Sequence, residues 1–175
     1  MSRPPASCAL SKDYVVAVSR DRRPVDIAVV DPPSASLGEL VSRTDLVVVG
    51  RIVQVAPGRV LSDPGDPDRA VRTQFAQLEV DEVTVGSGAA RLVLEEVVAL
   101  ADGTPATVAG SGASRVGDAG PYMLVRGDDG RVGLVGPQGR YLLDRDDPDR
   151  LRASPGGDPL ATRLADLGRG GCDER

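Results

Sequence analysis

The sequence predicts a mainly β domain: a small, curled antiparallel barrel of five to seven strands, with one short helix before the central strand and one C-terminal helix. Three observations carry this. The apolar 41% of the chain is dominated by Val, Leu and Ala, with one Phe, three Tyr and no Trp, and such an interior packs well on a pleated surface. Short apolar stretches recur at fairly even spacing between Gly, Pro and Asp turn signals. Nothing in the chain shows the strand–helix–strand rhythm of a parallel sheet. At 175 residues there is chain for one proper core and little room for two. Residues 13–168 therefore read as a single domain between a disordered tail over 1–12 and a frayed end over 169–175.

The elements follow in order. Residues 14–18 and 25–30 are short apolar runs that read as opening strands, and Asp31-Pro32-Pro33 ends the second. Ser36-Leu37-Gly38-Glu39 is a capping box, with Ser36 placed to accept from the Glu39 amide. A short helix follows with Leu37, Leu40 and Val41 on one face, closed by Asp45. Residues 46–55, LVVVGRIVQV, form the strongest strand; its opening residues are apolar on both faces, so it belongs at the centre of the sheet, and Gly50 marks a bend or bulge. The proline-rich and acidic stretch over 56–72 reads as a loop. Over 73–85, Ala76, Leu78 and Val80 alternate with polar residues before the apolar phase slips to Val83 and Val85, the signature of a β-bulge.

Gly86-Ser87-Gly88 turns the chain into a strand over 91–100, and residues 101–120, without periodicity, read as a long mobile loop. Residues 121–125 and 132–135 flank Asp128-Asp129-Gly130, a hairpin signal with glycine ready for positive φ. Gly136-Pro137-Gln138-Gly139 turns into a strand over 140–143. Asp158 as cap, Pro159 at the first position, Leu160, Leu164 and Leu167 on one stripe and Gly168 as stop predict the last helix.

Composition also excludes whole classes of chemistry. There is no histidine and the only lysine is Lys12, so Ser-His-Asp catalysis and Cys/His zinc sites are out. A net charge of -5 and pI near 4.8, with arginines scattered among aspartates, argue against a polyanion partner, and Phe75, Tyr14, Tyr122 and Tyr141 are too few to stack a nucleic-acid strand. No apolar run approaches the roughly 18 residues that span a bilayer. Cys8 and Cys172 sit near opposite ends; a disulfide between them in an oxidising compartment and two free thiols both remain open. Ala6-Ser7-Cys8 matches the end of a bacterial lipoprotein leader, but the hydrophobic stretch that must precede it is missing. The expectation is a cytoplasmic chain as written, and an extracytoplasmic or lipid-anchored one if translation begins upstream.

Carboxylates are the remaining candidates. Asp63, Asp66 and Asp68 are weak calcium ligands, since they lack the spacing of a calcium loop and prolines stiffen the stretch. Asp144, Asp146, Asp147 and Asp149, interleaved with Arg145, Arg150 and Arg152, read as a surface ion-pair network. Glu95-Glu96 and the set Glu79, Asp81 and Glu82 offer paired acids for a carboxylate-only hydrolase, yet neighbours on a strand point to opposite faces. Gly86-Ser87-Gly88 leads into a strand, not a helix, so it is no phosphate cradle. The reading assigns no catalytic residue, no cofactor and no metal.

Residues 36–55 (S-L-x-E-L-V-x-R-x-D-L-V-V-V-G-R-I-x-x-V), then F-x-x-L-E-V-D-E-V, G-D-x-G-x-Y-x-L-V and G-x-x-G-R-Y complete the pattern. This resembles a group of small, mostly exported actinobacterial proteins whose pattern is similar to OB-like barrels of the netrin/TIMP type, over about residues 36–144. The resemblance implies an OB-like fold more than a function. Inhibitor activity does not carry over, because that type depends on an N-terminal cysteine and several disulfides, and this chain has two cysteines. The expected role is a non-catalytic binding or structural module presenting residues 56–72 and 101–120 to an unknown protein or envelope component. A calcium-dependent interaction module and a small carboxylate hydrolase are the alternatives.

Overall fold

Where both faces of a strand are apolar, both must be covered, and residues 46–48 set that demand at the centre of the molecule. The computed structural model describes residues 14–16, 25–29, 36–63, 66–128, 130–144, 146–147 and 150–153. It is mainly β, with strands β1 (Tyr14–Val16), β2 (Val25–Val29), β3 (Leu46–Asp63), β4 (Asp66–Val85), β5 (Arg91–Leu100), β6 (Ala106–Val108), β7 (Ala119–Arg126), β8 (Val132–Leu134), β9 (Tyr141–Leu143) and β10 (Leu151–Ala153), and a helix α1 (Leu37–Ser42).

Five strands pair in the order β3-β4-β5-β8-β7, and β7 returns to β3 through the register Leu46↔Leu124 to Arg51↔Ala119. The expectation of purely antiparallel pairing is corrected at one seam: β5 and β8 run parallel and meet at the single pair Leu94↔Val132. Leu46, Val48, Ile52, Ala76, Leu78, Leu92, Leu94, Tyr122, Leu124 and Val132 form one buried cluster to which all five strands contribute. The opposite face of β3 and β7 carries Val47 and Met123, which pack with Leu40 of α1, Tyr141 and Leu151. Period-two alternation thus splits 46–48 between two cores, as two-sided apolarity requires.

A third cluster, Ile27, Val71 and Ala106 with Leu61, Val97 and Leu100 against it, joins the ring to the small sheet β1-β2-β6. β2 and β6 pair in parallel, another departure from an all-antiparallel fold. Helix α1 starts where the capping pattern places it, with Ser36 Oγ accepting from the Glu39 amide at 3.1 Å. Its end falls at Arg43. Asp45 instead anchors the start of β3, its Oδ2 accepting from the Arg126 amide at 2.7 Å.

The bulge signals are met. β3 and β4 change register between Val49 and Gly50, and Val47/Val48 oppose Val85/Val83, leaving Thr84 as the extra residue where the apolar phase slips. Gly120, at φ +152°, lies under the Tyr141 carbonyl, so close that a Cβ there has no room. Gly130, at φ +78°, lies between the antiparallel strands β7 and β8, as the hairpin signal requires.

Two stretches read as loops are folded. Residues 56–63 and 66–72 continue β3 and β4 as a long antiparallel arm ending at the pair Asp63↔Asp66. Residues 101–120 contain β6 and a buried segment in which Ser111 and Ser114 are 8% and 3% exposed. In the acidic stretch read as an ion-pair network, the Asp144 amide donates to the Arg150 carbonyl at 2.9 Å and the Arg150 amide to the Asp147 carbonyl at 3.0 Å, and residues 145, 148 and 149 lie outside the described residues. The expected helix from Asp158 lies outside the described residues, as do the tail 1–12 and the end 169–175.

The alternation on β5 supplies a direct check. Leu94 is fully buried and its neighbour Val93 is 52% exposed. Leu94→Ala is expected to cost about 2–5 kcal/mol and Val93→Ala no more than about 0.5 kcal/mol in equilibrium denaturation.

Candidate functional site

Because side chains alternate along a strand, the consecutive acids Glu95 and Glu96 of β5 leave opposite faces of the sheet. Glu96 continues the inward stripe of Leu92 and Leu94, and its side chain is 7% exposed. Its charge is met on several sides. Ser114 donates to it twice, from Oγ to Oε1 and from the amide to Oε2, each at 2.9 Å. Gln74 Nε2 donates to Oε2 at 3.2 Å and to the Ser114 carbonyl at 2.7 Å. Arg140, 4% exposed, brings Nη1 to 3.6 Å from Oε1 and donates to Ser114 Oγ at 2.7 Å and to the Gly112 carbonyl at 2.6 Å.

The result is a buried clasp that draws residues 112–114 across one end of the ring. The neighbouring turn is fixed as well: Ile52 donates to the Asp118 carbonyl and Gly117 to the Ile52 carbonyl, both at 2.8 Å. Tyr122 Oη donates to that Asp118 carbonyl at 3.2 Å, and burial holds its hydroxyl well above the usual phenol range. A buried ion pair such as Glu96 and Arg140 adds little net stability over an apolar core, but breaking it strands a buried charge.

Glu95 points outward and gathers a second set. Arg59 Nε and Nη2 donate to its two oxygens at 2.9 Å each, a bidentate fork. Arg131 Nη1 reaches Oε2 at 3.2 Å while its guanidinium sits 5.7 Å from the centre of the Phe75 ring. Burial pushes the Glu95 carboxyl up, but the bonds from Arg59 and Thr73 and the charges of Arg59 and Arg131 outweigh it and leave it below 4.5.

Arg59 is aimed by a bulge. Pro57 opposes Gln74 and Val60 opposes Arg72, so Gly58 and Arg59 together face Thr73 alone. A Cβ on Gly58 would stand 2.8 and 2.9 Å from the Thr73 carbonyl carbon and oxygen, so glycine is needed there. The Thr73 hydroxyl accepts from the Arg59 amide at 2.9 Å and lies 2.9 Å from Glu95 Oε1 and 3.0 Å from the Arg59 carbonyl, with one proton for those two acceptors.

Beside this bulge the arm carries an open groove of about 440 Å³. Val55, Val60 and Val98 give it apolar walls, Gln74 links it to the clasp, and its charged lining residues are Arg72 and Arg59, whose guanidinium is forked on Glu95. Val60 and Val55 are 59% and 38% exposed.

The candidates from sequence fall apart in space. Asp63 and Asp66 pair at the end of the arm and Asp68 lies in β4, their side chains outside the described set. Among the described residues no group of three or more His, Cys, Asp or Glu could hold a metal. Glu79 is exposed and 3.8 Å from Arg91, and Asp81 and Glu82 are exposed. Tyr122 and Tyr141 are buried. Cys8 and Cys172 lie outside the described residues. Among the described residues no helix is long and apolar enough to cross a membrane. Glu95 and Glu96 do take opposite faces, but the partners that define their roles, Arg59, Thr73, Gln74, Ser114 and Arg140, were not anticipated. The one available signal was phase: the inward stripe Leu92, Leu94 lands next on Glu96. No family model matches the chain, and no curated protein matches it.

Glu96→Ala leaves Arg140 buried without its carboxylate and is expected to cost about 3–5 kcal/mol in denaturant unfolding. With Arg140→Met added, the double variant should lose less than the sum of the single losses, as the coupling requires. For Glu95 the sign follows from its lowered folded value: its contribution is complete above 4.5 and disappears as pH falls through the folded value. Glu95→Gln should therefore flatten the acid limb of stability against pH, read by thermal melts from neutral pH downward.

Proposed function

We propose that this chain is a non-catalytic binding module, an OB-like barrel of the kind seen in small exported actinobacterial proteins, which meets a protein or cell-envelope partner through the β3–β4 arm. The observation that carries the reading is the groove on that arm, where Val55, Val60 and Val98 are open beside Arg59 and Arg72. Exposed apolar surface rimmed by polar groups is the physical mark of a contact site. The clasp supports the same reading from the other side. Glu96 accepts from Ser114 and Gln74 and faces Arg140, and Glu95 is forked by Arg59, so both carboxylates act as fixed charges that hold strands and loop in place. An acid that works on substrate needs its proton free to move. The segment over 101–120 contributes less than its composition suggests, since Ser111 and Ser114 are buried.

A photo-crosslinking side chain placed at Val60, in the cells that make the protein, should give a discrete adduct, and the same side chain at Glu82, which is exposed away from the arm, should not. Equal labelling at both positions, or turnover of a substrate by the purified chain, removes the reading. A rise in melting midpoint with millimolar calcium would favour the calcium-dependent alternative instead.

A further inference from the structure

The ring has one short seam. β5 and β8 meet only at Leu94↔Val132, whereas every other neighbouring pair of its strands shares at least three residue pairs. Beside that seam, on the outer face, Glu95 Oε2 accepts from Arg131 Nη1 at 3.2 Å. The same carboxylate is forked by Arg59 and lies 2.9 Å from the Thr73 hydroxyl, so one charge holds both the seam and the bulge of the arm. We infer that Glu95 is an acid-released latch: when its carboxylate gains a proton, β8 parts from β5 and the bulge at Gly58 and Arg59 loosens in the same step, with the rest of the ring still folded.

The surroundings of Glu95 give the latch its sense. Among the described residues, Arg59 faces it from β3 and Arg131 from the start of β8, while β4 presents Thr73 and Phe75, which carry no charge. Glu96 leaves the opposite face. Both arginines therefore lose the same ion-pair partner to a single proton. The Glu95 side chain is 12% exposed, so water screens these pairs less than it would on an open surface. Its folded value lies below 4.5, so the closed state is favoured above that pH, and the advantage is lost as pH falls through the folded value. Little backbone pairing remains to hold the seam once the charge is gone. Gly127 donates to the Arg131 carbonyl and Val135 to the Met123 carbonyl, so the bonds of the β7–β8 hairpin fall on alternate residues and the Val132 amide turns toward β5. On the inner face the clasp of Glu96 still ties β5 to Ser114 and Arg140 and keeps the ring together. Gly58, Arg59 and Thr73 line the groove, which loosens with the seam whatever partner meets it.

Amide exchange of the full chain, followed by NMR from neutral pH to about pH 3 and corrected for the intrinsic rate at each pH, reads the opening. Protection of the Val132 amide, and of the Arg59 amide that donates to Thr73 Oγ1, should fall about tenfold or more as pH drops below 4.5. The amides of Val135 and Val80, bonded to the Met123 and Ala90 carbonyls, should keep theirs. Glu95→Gln should show the low protection of Val132 and Arg59 already at neutral pH, with no further fall in acid. Arg131→Gln should lower Val132 alone and leave the Arg59 amide protected, which a general loss of stability would not do. Val132 exchange that tracks Val135 and Val80 at every pH, or an acid loss of protection that survives in Glu95→Gln, overturns the inference.

Discussion

Two adjacent carboxylates on one strand, forced by the β pleat to opposite faces, tie β5 to β3, to β4, to the segment 112–114 and to the starts of β8 and β9. Glu96 on the inner face reaches β4 through Gln74, the segment 112–114 through Ser114, and the start of β9 through Arg140. Glu95 on the outer face reaches β3 through Arg59, β4 through Thr73 and the start of β8 through Arg131. That last contact matters because β5 and β8 share a single residue pair, the weakest seam of the ring. A charged bridge beside it supplements a short ladder, and the Arg131 guanidinium also lies 5.7 Å from the centre of the Phe75 ring.

The same arrangement explains why the arm offers a stable surface. A long hairpin that no described strand joins along one edge is poorly supported by backbone pairing alone. Here the bulge at Gly58 and Arg59 converts one irregularity into an anchor, since it turns the guanidinium of Arg59 onto Glu95 and seats the Thr73 hydroxyl between strands. Beyond it the cluster of Ile27, Val71 and Ala106 braces the other face of the arm with the small sheet. The groove is therefore a fixed feature, walled by residues whose backbone positions are set on both sides.

Much of the framework was legible in the residues. The pattern at the start of β3 was strong because a strand covered on both faces leaves a run with no polar break, and the Ser36 cap and the hairpin at Gly130 rest on local rules that need no tertiary partner. The slip of phase before Val83 was readable for the same reason. The arm was not: prolines and aspartates over 56–72 look like loop, but a proline at a strand edge gives up no ladder bond, so Pro57 is tolerated where composition forbids it. Residues 101–120 were misread because their order comes from Glu96 and Arg140, partners that no local pattern reveals. Of the clasp, sequence could offer only the phase of Glu96.

The inner carboxylate fastens the segment over 111–118 into the ring. Native-state amide hydrogen exchange of the unaltered protein reads this directly. The amides of Ser114 and Gly117, which donate to Glu96 Oε2 and to the Ile52 carbonyl, should exchange within about tenfold of the most protected amides of β3 and β7, as expected for a single cooperative unit. Exchange of both at the rate of an open loop, with the strands still protected, would contradict it.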